Sequence, residues 1–186
     1  MTSPAGSPTK SRNLLRRFRR NRRGSAAVEF AMIATPFFAL LFAIIETCIV
    51  FFASQVLETG IQDSGRLLYT HQAQDSAMTA QQFKDDLCAR VAILMTCSII
   101  GVDVKFYPDG TPITITDPID GSGNYDSSGF TYQAAAAGAK GTQVVRGFYQ
   151  WPLYVTGLGY NIANIARNGT NPKRLLAATA AFHVEP

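Results

Sequence analysis

Histidine is scarce in this sequence: His71 and His183 are the only two in 186 residues. They form no His-x-x-x-His pair, and no Cys-x-x-Cys, phosphate-cradling glycine loop or nucleophile elbow occurs anywhere. The usual frames for metal hydrolysis, nucleotide chemistry and acyl transfer are therefore missing. Cysteine is almost as rare, with Cys48, Cys88 and Cys97. Cys88 and Cys97 have no neighbouring histidine or second cysteine pair to complete a four-ligand zinc site. Asp85 and Asp86 are adjacent on a helix-like segment, so their side chains diverge onto a solvated face. The Asn168-Gly-Thr sequon reads as a turn. We expect no enzyme, no cofactor and no resident metal.

Acidic residues are absent from the first 24 positions, which carry Lys10 and seven arginines. Of the 17 basic residues eight thus fall in this leader, leaving nine against 13 acids in the remainder. Neither an aromatic platform nor a helix-turn-helix pattern accompanies the arginines, so nucleic acid is not the expected partner. A basic stretch ahead of an apolar run sets topology or meets anionic membrane lipid.

The apolar run is Phe30 to Ala53, 24 residues with Glu46 as the single charge. As a helix it would span roughly 36 Å, enough for a ~30 Å hydrocarbon core. Its apolar residues occupy every face, so it needs an apolar environment all round. A small-x-small cleavage site does not follow it, and the run exceeds the ~7–15 residues of a signal-peptide core. Arginines before the span and net negative charge after it predict a cytoplasmic N-terminus and an exported C-terminal part. Pro36 is tolerated early in such a span, at the cost of a kink. Glu46 is expensive at bilayer depth. It is either protonated and bonded to a hydroxyl or backbone carbonyl, or it makes an intramembrane contact with another subunit.

The junction "RRGSAAVEF" raises a different possibility. Glu29 lies four residues past Ser25, on the same helical face about 6 Å further along. A cut between Gly24 and Ser25 would remove the basic leader and create a cationic amine one turn from Glu29. The two charges could neutralise each other within one chain or between neighbouring helices.

Beyond the span, helix-compatible residues continue to about residue 70 despite Gly60 and Gly65, with Val56, Leu57, Ile61, Leu67 and Leu68 apolar. A second helix starts near Thr79, where Phe83, Leu87, Val91 and Leu94 share one face. Strands are predicted at Val102–Tyr107, Pro112–Thr116, Gln143–Trp151 and Leu175–Val184, with "YPDGTP" turning between the first two. Residues 117–129 form a polar glycine-rich loop, and residues 152–173 a mixed loop with one short helix. The fold class is α+β: a long N-terminal transmembrane helix continuing outward, a second helix, then a small antiparallel sheet. The expected division is a leader over 1–24, the span and its extension over 25–70, and an exported domain over 71–186. Nine residues along a straight helix would hold Cys88 and Cys97 roughly 13 Å apart, beyond disulfide reach. With a helix that unwinds before Cys97, an exported domain can close the bridge.

The junction Gly24, Ser25, Glu29 and Phe30 resembles the processing site of class III prepilins, in which a membrane peptidase cuts after the glycine. The order of features from "AAVEFAMIATPFFALLF" through "LCARVAILMTCS", "VDVKFY" and "YQWPLY" to "LLAATAAFHVEP" is similar to that of TadE-like proteins. These are minor pilins or pseudopilins of the tight-adherence (Flp-type, type IVb) pilus system. Members often end in Phe-Arg-Asn-Glu-Pro; here the tail reads Phe182-His183-Val184-Glu185-Pro186. The resemblance implies a pilin-like subunit of the bacterial inner membrane without chemistry of its own. Its implied partners are prepilin peptidase, the major pilin, a paired minor pilin and an inner-membrane assembly platform. Assembly of the pili and surface attachment would be its outcome. The rival expectation is an uncleaved single-pass anchor with an extracytoplasmic binding domain.

Overall fold

A computed structural model of the chain describes residues 24–156 and 161–185. The arginine run of the leader lies outside the described residues. Helix α1 covers Ser25–Tyr69, a four-residue helix α2 covers Gln72–Asp75, and α3 covers Ala80–Val91. A 3₁₀ turn at Cys97–Ile99 leads into strand β1 (Gly101–Pro108), followed by β2 (Gly141–Pro152) and β3 (Lys173–Val184). The strands form one antiparallel sheet in the order β1-β2-β3, with Asp103 opposite Arg146 and Trp151 opposite Arg174. The α+β class and the order of elements are as the sequence predicts.

The chain divides into two compact units, the first ending at Phe42 and the second starting at Ala43. The division falls inside α1. In the first unit Phe30, Met32, Ile33, Phe37 and Leu40 are all exposed. Such a surface is stable only in an apolar medium.

The second unit is built on a stripe of α1. Val50, Ala53, Leu57, Ile61, Ser64 and Leu68 recur at helical spacing and are buried. All but Ser64 join Phe83, Leu87 and Val91 of α3 and Val145, Tyr149, Leu176 and Ala178 of the sheet in one core. Three glycines set the approach distances. A Cβ on Gly60 would stand 2.7 Å from Val91 Cγ1, and one on Gly147 would stand 2.5 Å from Ile61 Cδ1. Gly65 faces Ala180 and Phe182. The helix-breaking tendency of Gly60 and Gly65 is outweighed by the packing that their missing side chains permit.

Thr79 starts α3 through a capping box: its hydroxyl accepts from the Gln82 N–H, and the Gln82 side chain accepts from the Thr79 N–H at 2.8 Å. Helix α3 ends at Val91, six residues before Cys97, which lets the chain double back to Cys88.

Two expected elements are corrected. Pro112–Thr116 is not a strand: it runs extended without a ladder partner, after a turn in which Thr111 N–H donates to Pro108 C=O at 3.0 Å. The edge of β1 that this segment would have joined is instead met by residues 131–133, through Val104 N–H to Thr131 C=O and Gln133 N–H to Val104 C=O. The short helix expected within 152–173 is likewise absent among the described residues. There Ile165 bridges Lys173, extending the start of β3 by one ladder step.

Candidate functional site

Gly24 lies at the start of α1, exposed, with no atom within 4 Å of where a Cβ would stand. One turn on, the Ser25 hydroxyl donates to Glu29 Oε1 at 3.1 Å. Both residues are exposed, and Phe30 beyond them is 70% exposed. The helix therefore presents Gly24, Ser25 and Glu29 together as an unpacked corner. The i, i+4 spacing places the Ser25 end of the helix next to a carboxylate, where the dipole also favours negative charge.

Glu46 has a partner in its own chain. Its Oε1 accepts the backbone N–H of Tyr154 at 2.6 Å, and both carboxylate oxygens accept the N–H of Val155 at 3.2 Å. These amides belong to the turn that leaves β2. They lie more than a hundred residues away in sequence, so local patterning gives no sign of them. Glu46 shares the helix face of Val50, Ala53 and Leu57, and so begins the stripe that faces the sheet. Within its own chain the carboxylate thus accepts from backbone donors, which the sequence reading did not name. Thr47 instead donates to the Ala43 carbonyl at 2.7 Å.

Cys88 and Cys97 are joined as a disulfide with Cα atoms 5.5 Å apart. The bridge closes the turn between α3 and β1, and the Thr96 N–H alongside it donates to the Tyr149 hydroxyl at 3.2 Å. Cys48 is free and exposed.

Two polar networks escaped the sequence reading. Asp103, 1% exposed, accepts from Arg146 Nη2 at 2.7 Å and from the Thr131 N–H at 3.0 Å. Arg146 also donates to the Thr116 carbonyl at 2.8 Å, so the pair pins the 109–140 connection over the sheet. Asp103 occupies a polar position of the alternating "VDVKFY" and so reads as solvent-facing, and no local signal marks its burial. The second network ties α1 to α3: Ser64 donates to Asp86 at 2.8 Å, and Arg90 donates to both Asp86 oxygens. Burial alone would raise the Asp86 carboxyl, but hydrogen bonds from Arg90 and Ser64 outweigh it and hold the group below its ordinary value. Tyr125 is pushed up to about 12 by burial, its hydroxyl having no partner among the described residues.

At the opposite end of the sheet from Tyr154, His71, His183 and Glu185 line an open cleft with Tyr69. His183 stands 3.8 Å from Asp109. Among the described residues no three His, Cys, Asp or Glu side chains are grouped to hold a metal ion.

A long apolar helix at the N-terminal side and one small α+β unit define a class: α1 is compatible with a single-pass membrane anchor, having an 18-residue window of mean hydropathy 2.3. The family profile described as TadE-like protein matches residues 24–66, from the junction glycine into the domain-facing part of α1. The match is consistent with a TadE-like protein of the tight-adherence pilus system. Neither a curated protein nor a solved structure matches the chain significantly.

Proposed function

We propose that the protein is a TadE-like minor pilin, or pseudopilin, that prepilin peptidase cuts between Gly24 and Ser25 and that serves assembly of tight-adherence pili. The observation that carries this reading is the unpacked corner of Gly24, Ser25 and Glu29 at the start of an apolar helix, within the residues that the family profile matches. Cutting there would exchange the arginine leader for a single amine beside Glu29. An apolar rod with a paired charge at its tip can leave the bilayer sideways and pack against other subunits.

In this reading the N-terminus is cytoplasmic and the second unit periplasmic. The arginine leader supports that orientation, and so does the Cys88–Cys97 disulfide, a bond suited to an oxidising compartment. Partners are the peptidase, the major pilin and a paired minor pilin, and the inner-membrane platform. The subunit acts by assembly and has no catalytic role.

Mass spectrometry of the protein recovered from membranes tests the cut. Ser25 is the expected first residue, and Gly24→Ala should accumulate the longer form. The added methyl meets no atom within 4 Å, so that variant separates processing from folding. An intact Met1 or Thr2 terminus in piliated cells would leave the other reading, an uncleaved anchor carrying an extracytoplasmic binding domain.

A further inference from the structure

The bilayer boundary on the domain side can be located from Glu46. Between Glu29 and Glu46 lie 16 residues without charge. As a helix they cover about 24 Å. A hydrocarbon core needs ~30 Å, so a span centred on this stretch runs about two residues past each carboxylate and ends close beyond Glu46. Glu46 does not arrive there alone, because it holds the N–H groups of Tyr154 and Val155. Those amides belong to irregular backbone, and lipid-exposed irregular backbone is not tolerated among acyl chains. Glu46 and the turn bonded to it must then sit at the edge of the headgroup layer, and the exposed Ile49, Phe51 and Phe52 just beyond lie within that interfacial layer and not in water.

The chemistry of the turn fits that level. Tyr154 presents an amphipathic ring that is 83% exposed, the kind of side chain found at membrane interfaces. Lys173 and Arg174 start β3 opposite Pro152 and Trp151. Among the described residues neither has a carboxylate within ion-pair reach; they donate to Gln150 and to the Ile162 carbonyl. No acidic residue occurs between Asp126 and Glu185. The nearest acidic loop packs against Ala166 through Gly123, and its Asp120 and Asp126 carboxylates accept N–H groups of their own loop.

We infer that the β2–β3 end of the domain is seated on the bilayer, with Tyr154 in the phospholipid headgroup layer, Lys173 and Arg174 toward anionic headgroups, and Glu46 as the latch. This rests on the reading that α1 spans a membrane. It adds a lipid contact made by the folded domain itself, distinct from the one made by the span.

Trp151, the only tryptophan, lies three residues from Tyr154 and reports the contact. The full chain would be placed in nanodiscs of phosphatidylcholine with or without phosphatidylglycerol, doped with lipid spin-labelled at the headgroup or near the acyl terminus. The headgroup label should quench Trp151 more than the deep label, and phosphatidylglycerol should strengthen the effect. In Lys173→Gln or Arg174→Gln the phosphatidylglycerol-dependent part should fall about fivefold per charge removed. Headgroup quenching no greater than deep quenching in the wild-type chain, while alkaline carbonate leaves it bilayer-bound, overturns the seat and spares the spanning reading. A chain stripped from vesicles by carbonate overturns both. If Tyr154 becomes shielded only when another pilus subunit is added, the surface is a protein interface and the lipid seat is wrong.

Discussion

Leu40 and Leu57 stand on one helix, yet one is 63% exposed and the other 0%. Before Ala43 the helix is apolar on every side and buries little; after it, one stripe is buried and the other faces carry Glu58, Asp63 and Arg66. Hydropathy alone does not place this change, since the apolar run continues ten residues past Ala43, to Ala53. What does is the presence of partners, since only the second half has α3 and a sheet to pack against. A hydrophobic run can therefore serve two solvents in succession, a bilayer and then a protein core.

The comparison is broken most directly by trimming the two leucines. Leu57→Ala should cost about 2–5 kcal/mol of domain stability. Leu40→Ala should stay within about 0.5 kcal/mol, because Leu40 is 63% exposed. Thermal unfolding in detergent, followed by near-UV circular dichroism, distinguishes the cases; equal losses would mean that the division at Ala43 is wrong.

A smaller effect tests the point where the halves meet. Glu46→Ala removes the acceptor shared by two backbone donors and should cost about 1–2 kcal/mol. Hydrogen exchange at Tyr154 and Val155 should quicken selectively, and unchanged protection would show that the turn is held by other contacts.

The smallest effect concerns the polar tie between α1 and α3. Asp86 sits below its ordinary value in the folded chain, so its contribution is complete above the unfolded carboxylate value of about 3.9 and is lost as pH falls through the folded value. Asp86→Asn should abolish that portion of the acid sensitivity. With the pair partly exposed, the change should be no more than about 1 kcal/mol. An acid unfolding curve identical to that of the parent would remove Ser64–Asp86–Arg90 as a stabilising tie.

Elements written in local chemistry were readable in advance. The extent of α1 follows from hydropathy and helix-forming residues, the start of α3 from Thr79 and Gln82, and the three strands from their apolar content. Pro112–Thr116 misled because a turn signal with apolar flanks describes a hairpin only when the returning chain finds an edge, and here residues 131–133 occupy it. Asp103 with Arg146, and Glu46 with Tyr154, join residues far apart in sequence, and no local pattern encodes such a pairing. At the junction, by contrast, Ser25 and Glu29 are a single turn apart, and their meeting was legible from spacing.

The latch at Glu46 also has a mechanical meaning. From Val50 onward helix α1 is held to the sheet mainly by apolar side chains, which resist separation gradually, whereas the directional hydrogen bonds of Glu46, the shortest at 2.6 Å, yield over a short distance. A pull on the anchor along the helix axis would load those bonds before the core. The exit turn of β2 would then take up the first of the force, as a stitch at the hem of a seam does.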